Sequence, residues 1–105
     1  MAKSNAKAFL NVEMNQLDRA AEIMRALSHP LRMKIMGFID KNKSVSVNKI
    51  YNTLGLEQSI TSQHLRILRK VDLVKTKRDG KFIYYSLNYD KIRKVNKMME
   101  KYDIV

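Results

Sequence analysis

The sequence predicts a mainly α fold with one small β-hairpin, an α+β chain in the order helix, helix, short strand, helix, helix, strand, strand, helix. Three observations predict it. Apolar residues recur at helical spacing in five separate stretches. A glycine-bearing link of three residues, Gly55-Leu56-Glu57, joins two of those stretches. Beyond Asp72 the period drops from 3.6 to 2 on both sides of Asp79-Gly80, the strongest short-range hairpin signal.

Residues 1–8 are polar, small and lysine-bearing, and are expected to form a flexible leader to one domain over 9–105. Leu10, Met14, Leu17, Ala21, Met24 and Leu27 then recur every three or four residues, which predicts a long helix over about 9–27. Ser28-His29-Pro30 breaks it, because Pro30 lacks an N–H and biases His29 away from helical geometry. Proline suits the first turn of a new helix, whose buried face is Leu31, Ile35, Phe38 and Ile39. Residues 40–44 read as a polar connection and Val45 to Val47 as a short extended stretch.

A third helix over about 47–54 presents Val47, Ile50, Tyr51 and Leu54 and stops at Gly55, the expected residue just past a helix end. The fourth, over about 58–71, turns Ile60, Leu65, Ile67, Leu68 and Val71 toward the core. The hairpin follows as a wing, with Asp79-Gly80 expected at the two central positions of a tight turn that needs positive φ at both. Ile92, Val95, Met98, Met99 and Tyr102 stripe a last helix over about 89–102, with Asn88 as its cap. The whole reads as a winged helix-turn-helix.

A chain of 105 residues without cysteine can build only a small core and no disulfide, so association with a second copy is the expected source of added stability. The apolar stripes of the two terminal helices supply the surface for it: Leu10, Met14, Leu17 and Met24 on the first, Ile92, Val95, Met98, Met99 and Tyr102 on the last. The 21 Lys and Arg against 10 Asp and Glu give a net charge of +11, a field that attracts polyanions. No apolar run nears the about 18 residues that span a bilayer, and Met1 to Leu10 lacks the apolar core of a secretory signal. The expected location is cytoplasmic, with no membrane partner.

On the fourth helix Gln58, Ser59, Ser62, Gln63, Arg66 and Arg69 fall largely opposite the apolar positions. Amide, hydroxyl and guanidinium groups are what base-edge reading requires. The N-terminal part of such a helix enters the major groove, so Gln58, Ser59, Thr61, Ser62 and Gln63 are the expected base contacts. Arg66, Arg69, Lys70, Lys75, Lys77, Arg78 and Lys81 crowd residues 66–81 against only Asp72 and Asp79, and their expected role is phosphate neutralisation. Arg78 and Lys81, at the wing tip, are placed for the minor groove. His64 is read as a packing or phosphate-contacting residue. Tyr84 and Tyr85 point to opposite faces of their strand, one packing and one facing a phosphate, and alternation leaves open which does which.

Leu27-Ser28-His29-Pro30-Leu31-Arg32-Met33-Lys34-Ile35, Ser62-Gln63-His64-Leu65-Arg66-Ile67-Leu68, Leu73-Val74 and the wing Arg78 to Leu87 together resemble the ArsR family of winged-helix repressors over about residues 12–102. The resemblance implies a homodimer packed through its first and last helices, two reading heads facing successive major grooves of double-stranded DNA, and repression relieved by an inducer of unknown chemistry. Twofold symmetry then implies a palindromic operator with half-sites about 10 base pairs apart. Where many such proteins carry a Cys-x-Cys metal pair this chain has Ser46 and Asn48, which supply no thiolate. Nor does the last helix, with Asp90, Glu100 and Asp103, carry a histidine. Met14, Met24, Met98 and Met99 lie on helical stripes and are read as packing, not copper ligands. No metal site and no cofactor are expected.

Two histidines, no cysteine and three glycines form neither a nucleophile with its base nor a phosphate loop, so no enzyme is expected. The expected function is a sequence-specific DNA-binding repressor. The alternative is an interaction module that uses the winged-helix surface to dock on an acidic protein.

Overall fold

In the computed structural model the backbone is described over residues 2–101 and the side chains over 14–101. Five helices, α1 (Ala2–Leu27), α2 (Pro30–Asn42), α3 (Val47–Leu54), α4 (Gln58–Lys70) and α5 (Tyr89–Lys101), alternate with strands β1 (Val45–Ser46), β2 (Val74–Asp79) and β3 (Phe82–Leu87). The strands form one antiparallel sheet in the order β1-β3-β2. The mainly α winged fold is as the sequence predicts.

Two boundaries differ. α1 begins at Ala2, taking in residues expected to form the leader. Ala2, Ala6 and Ala8 with intervening lysines are strong helix formers, and neither glycine nor proline interrupts them. α2 runs on through Asp40-Lys41-Asn42, where a connection was expected. The Asn42 amide donates to the Phe38 carbonyl at 2.8 Å, and Lys43 closes the helix at φ +66.

The break between α1 and α2 is built as expected: His29 is extended (φ −96, ψ 117), and its Nδ1 accepts the Leu31 N–H at 3.2 Å ahead of Pro30. Arg32 ties the same corner together. Its guanidinium donates to the carbonyls of Ala26 (2.6 Å) and Arg25 (3.1 Å) in the last turn of α1, the second of which also accepts from the Ser28 hydroxyl (3.1 Å).

Ile35, Ile39, Ile50, Leu65 and Leu68 are fully buried, with Val45, Leu73, Val74, Leu87 and Val95 around them. The core therefore lies where α2, α3 and α4 meet the base of the sheet, with α1 and α5 closing over it through Ile23, Ala26 and Val95. Val74 pairs with Leu87 at the base of the wing, and both are buried; outward from there the ladder becomes exposed.

Asn88 joins the wing to α5. Its backbone N–H donates to Leu73 (2.9 Å), its side-chain amide to the Asp72 carbonyl (3.0 Å), and its Oδ1 caps α5 by accepting from Lys91 N (3.2 Å). Among the described residues no helix is long and apolar enough to cross a membrane.

Candidate nucleic-acid interface

α3 and α4 meet through a tight turn. Gly55 takes the left-handed conformation at φ +67, which costs glycine little, and the N–H groups of Gly55 and Leu56 return to the Tyr51 carbonyl. The turn delivers α4 with Thr61, Leu65 and Leu68 buried against the core. At about 100° per residue Gln58, Ser59, Ser62, Gln63, Arg66 and Arg69 fall within one arc of about 140° that starts beside the buried row and runs round to the opposite side. Ser62 is half-buried and the other five are exposed.

Thr61 does not belong to that arc. Its side chain is fully buried and its hydroxyl donates to the Glu57 carbonyl at 2.9 Å, so it cannot reach a base. Ile60 and Ile67 depart in the other sense: expected in the core, each is 39% exposed. They are seven residues apart and share a flank, where Ile67 lies beside Ala26, Arg32 and Lys70.

His64 is half-buried and turns away from the polar arc, with its ring centroid 4.6 Å from that of His29. The Arg32 guanidinium lies 3.3 Å from its Nδ1, and donation there needs a neutral His64 with its proton on Nε2. Burial first, then the neighbouring His29 and Arg32, hold the His64 pKa below its ordinary 6.5.

An unfolded chain takes up that proton more readily than the folded one. The stability His64 contributes is therefore complete above pH 6.5 and is lost as the pH falls through the lower folded value. Urea midpoints measured from about pH 8 down to pH 5 should decline, and His64→Gln should flatten the decline. An unchanged slope in that variant would remove His64 as its source.

The wing turn differs by one residue from expectation. Asp79 pairs with Phe82, so the central residues are Gly80 and Lys81, and of these only Gly80 has positive φ, at +63. Glycine first is the pattern of a type II′ hairpin. Pairing puts Lys75, Lys77 and Tyr84 on one face of the wing, because Lys77 opposes Tyr84 and Lys75 opposes Ser86. Tyr85 lies on the other face, packed against the core.

The alternation left open by the sequence thus resolves: Tyr84 is the outward ring, beside Ser44 and Lys77. Lys75, Lys77, Arg78 and Lys81 are exposed. Phe82 (41% exposed) and Ile83 (44%) also stand out at the tip, with the Lys81 ammonium 5.7 Å from the Phe82 ring centre. Sequence reasoning gave neither a role. Two adjacent apolar residues beside a tight turn, with no element left to cover them, were the available signal.

Of the expected association residues, Met14 (56%) and Leu17 (39%) are exposed, while Met24, Ile92, Met98 and Met99 are half-buried. Val95 is an exception: at 3% exposure it is spent in the core of its own chain. The side chains of Leu10 and Tyr102 lie outside the described residues. Among the described residues no three metal-ligating side chains converge.

A buried-backed helix with a polar reading face, followed by a basic wing, defines a winged helix-turn-helix DNA-binding regulator. The sequence signature described as "Bacterial regulatory protein, arsR family" matches residues 29–76. The transcriptional repressor PagR of Bacillus anthracis is 36% identical over 88 residues, which cover 84% of this chain and 88% of PagR.

Among solved structures, NolR from Sinorhizobium fredii superposes with a TM-score of 0.69 at 32% identity, covering 89% of this chain and 93% of that one. A homodimeric winged helix-turn-helix DNA-binding domain from Mycobacterium bovis shares the fold, with a TM-score of 0.71 at 24% identity over 87% of this chain and 84% of that one. The chain belongs to the ArsR family of bacterial regulatory proteins and is a DNA-binding transcriptional regulator.

Proposed function

We propose that the protein is a cytoplasmic repressor that binds a palindromic operator as a homodimer and acts by occupancy, without catalysis. The observation that carries this reading is the arc of Gln58, Ser59, Ser62, Gln63, Arg66 and Arg69 on α4, backed by the buried row Thr61, Leu65 and Leu68. With α4 in the major groove, Gln58, Ser59, Ser62 and Gln63 read base edges. Arg66, Arg69, Lys75 and Lys77 grip phosphates, and Arg78 and Lys81 approach the minor groove from the wing tip.

His64 serves this face from behind, as the link between α4 and Arg32. Exposed Met14 and Leu17, with half-buried Met24, Ile92 and Met99, supply the surface on which two copies pack. Repression accords with the name of PagR, and a dimer with the homodimeric relative from Mycobacterium bovis.

Selection from random-sequence DNA tests the reading, and a palindrome is the expected product. Failure to enrich any sequence at low salt would point to an acidic protein as the partner instead. On the selected operator, Gln63→Ala should cost about 1–3 kcal/mol and relax preference at its base pair. Lys75→Ala should weaken operator and random DNA alike. The reading fails if both variants bind both DNAs like the parent.

A further inference from the structure

A groove of about 430 Å³ runs between α1 and α5, away from the reading helix. Its floor is apolar: Ile23 and Val95 are 5% and 3% exposed, and Met98 is half-buried. Its rim is cationic. Arg19 stands on the α1 side and Lys91, Lys94, Lys97 and Lys101 on the α5 side, the last of these hydrogen-bonded to Gln16 at 3.1 Å. Among the described residues no carboxylate lines the groove.

Among the described residues the ion pairs are Lys43 with Asp40 and Arg93 with Asp90, so Arg19, Lys91, Lys94 and Lys97 line the groove together without an ion pair, although Asp90 shares an adjoining hollow with Lys94 and Lys97. Like charges brought together on two packed helices repel, and a multivalent anion between them removes that cost.

The groove is also bounded. In the hollow that continues it toward α4, Glu22 and Asp72 join Arg19, Lys70 and Lys91, and these carboxylates oppose a phosphate chain extending that way. That favours a small molecule over a nucleic-acid strand. The face is distinct from the association surface as well. Arg19 follows Leu17 by two residues on α1 and Lys94 follows Ile92 by two on α5, each a rotation of about 200°, so a second copy seated on Met14, Leu17, Ile92 and Met99 leaves the groove open; Met98, expected on the association surface, lines the groove instead.

We infer that the α1–α5 groove binds a small phosphorylated molecule, its phosphates held by Arg19, Lys91, Lys94 and Lys97 and its apolar body resting on Ile23, Val95 and Met98. The volume suits such a ligand, and an apolar floor with convergent polar groups is the usual construction of a ligand site. The inference goes beyond DNA recognition and does not depend on it, so binding is read with no DNA present.

Calorimetry of the full chain with ATP and with inorganic triphosphate as probes tests it. Both should bind saturably, one per protomer, and ATP more tightly because its base covers the apolar floor. Lys94→Gln combined with Lys97→Gln should weaken ATP binding by about tenfold or more. Lys75→Gln with Lys77→Gln, an equal loss of charge on the wing, should change it less than about twofold.

All four lysines are exposed, so both variants should keep the parent circular dichroism. Equal weakening by the two pairs would reduce the effect to general attraction by a basic surface and overturn the inference. Absence of saturable ATP binding, or triphosphate binding as tightly as ATP, would overturn it too.

Discussion

Raising the salt concentration from about 50 to 200 mM should weaken operator binding by about a thousandfold or more, the loss expected when six to ten phosphate contacts release their counterions. The count comes from the surface. Arg66, Arg69, Lys70, Lys75, Lys77, Arg78 and Lys81 are all exposed along one continuous stretch, from the second half of α4 to the wing turn. None of them has an ion-pair partner among the described residues.

Each can therefore neutralise a phosphate without first breaking a bond within the protein. Gel shifts or fluorescence anisotropy over a salt series give the slope of log affinity against log salt. Replacing Lys77, Arg78 and Lys81 with alanine removes these contacts from both protomers and should reduce that slope by about five. A shallow slope in the parent, equivalent to one or two phosphates, would rule out a DNA role for the wing.

Leu65→Ala should cost about 2–5 kcal/mol of stability, the range for truncating a fully buried leucine in a packed interior. Leu65 has no exposed surface and lies in the middle of α4, in the same core as Ile50 of α3 and Ile39 of α2. Removing its side chain leaves a cavity directly behind the polar arc, so α4 loses both a seat and a fixed rotation. Urea unfolding gives the stability, and operator affinity should fall in parallel.

The adjacent Arg66→Ala, on the exposed side, should leave unfolding nearly unchanged while weakening DNA binding. That pair separates the two faces of one helix. A loss under about 1 kcal/mol for Leu65→Ala, the scale of an ordinary surface change, would mean that α4 does not rest on the core.

Much of this architecture was legible because it depends on local periodicity and local breakers. Gly55 ended α3, Pro30 opened α2, and Asp79-Gly80 announced the wing. Besides the boundaries of α1, α2 and the wing turn, the expectations that failed concerned sidedness. Thr61 looks like a contact because it is polar among polar neighbours, yet it stands four and seven residues before Leu65 and Leu68, the spacing of one buried row. Its hydroxyl can be buried because the Glu57 carbonyl accepts from it.

Ile60 and Ile67 look like core residues for the converse reason, and their flank of α4 is one that the core does not cover. The hairpin turn moved by one residue because burying Val74 opposite Leu87 at the base sets the pairing from below. The contacts around His64 were out of reach altogether, since Arg32 lies 32 residues away and nothing local predicts their meeting.

One side chain has mechanical consequences. The guanidinium of Arg32 reaches the last turn of α1 through two carbonyls and the middle of α4 through His64, with all three distances at or below 3.3 Å. A hydrogen bond of this kind is effectively gone beyond about 3.6 Å. Sliding α1 along its axis by an ångström would therefore break the links or drag α4 with it. The end of α1 and the middle of α4 are thus joined through a single side chain of α2.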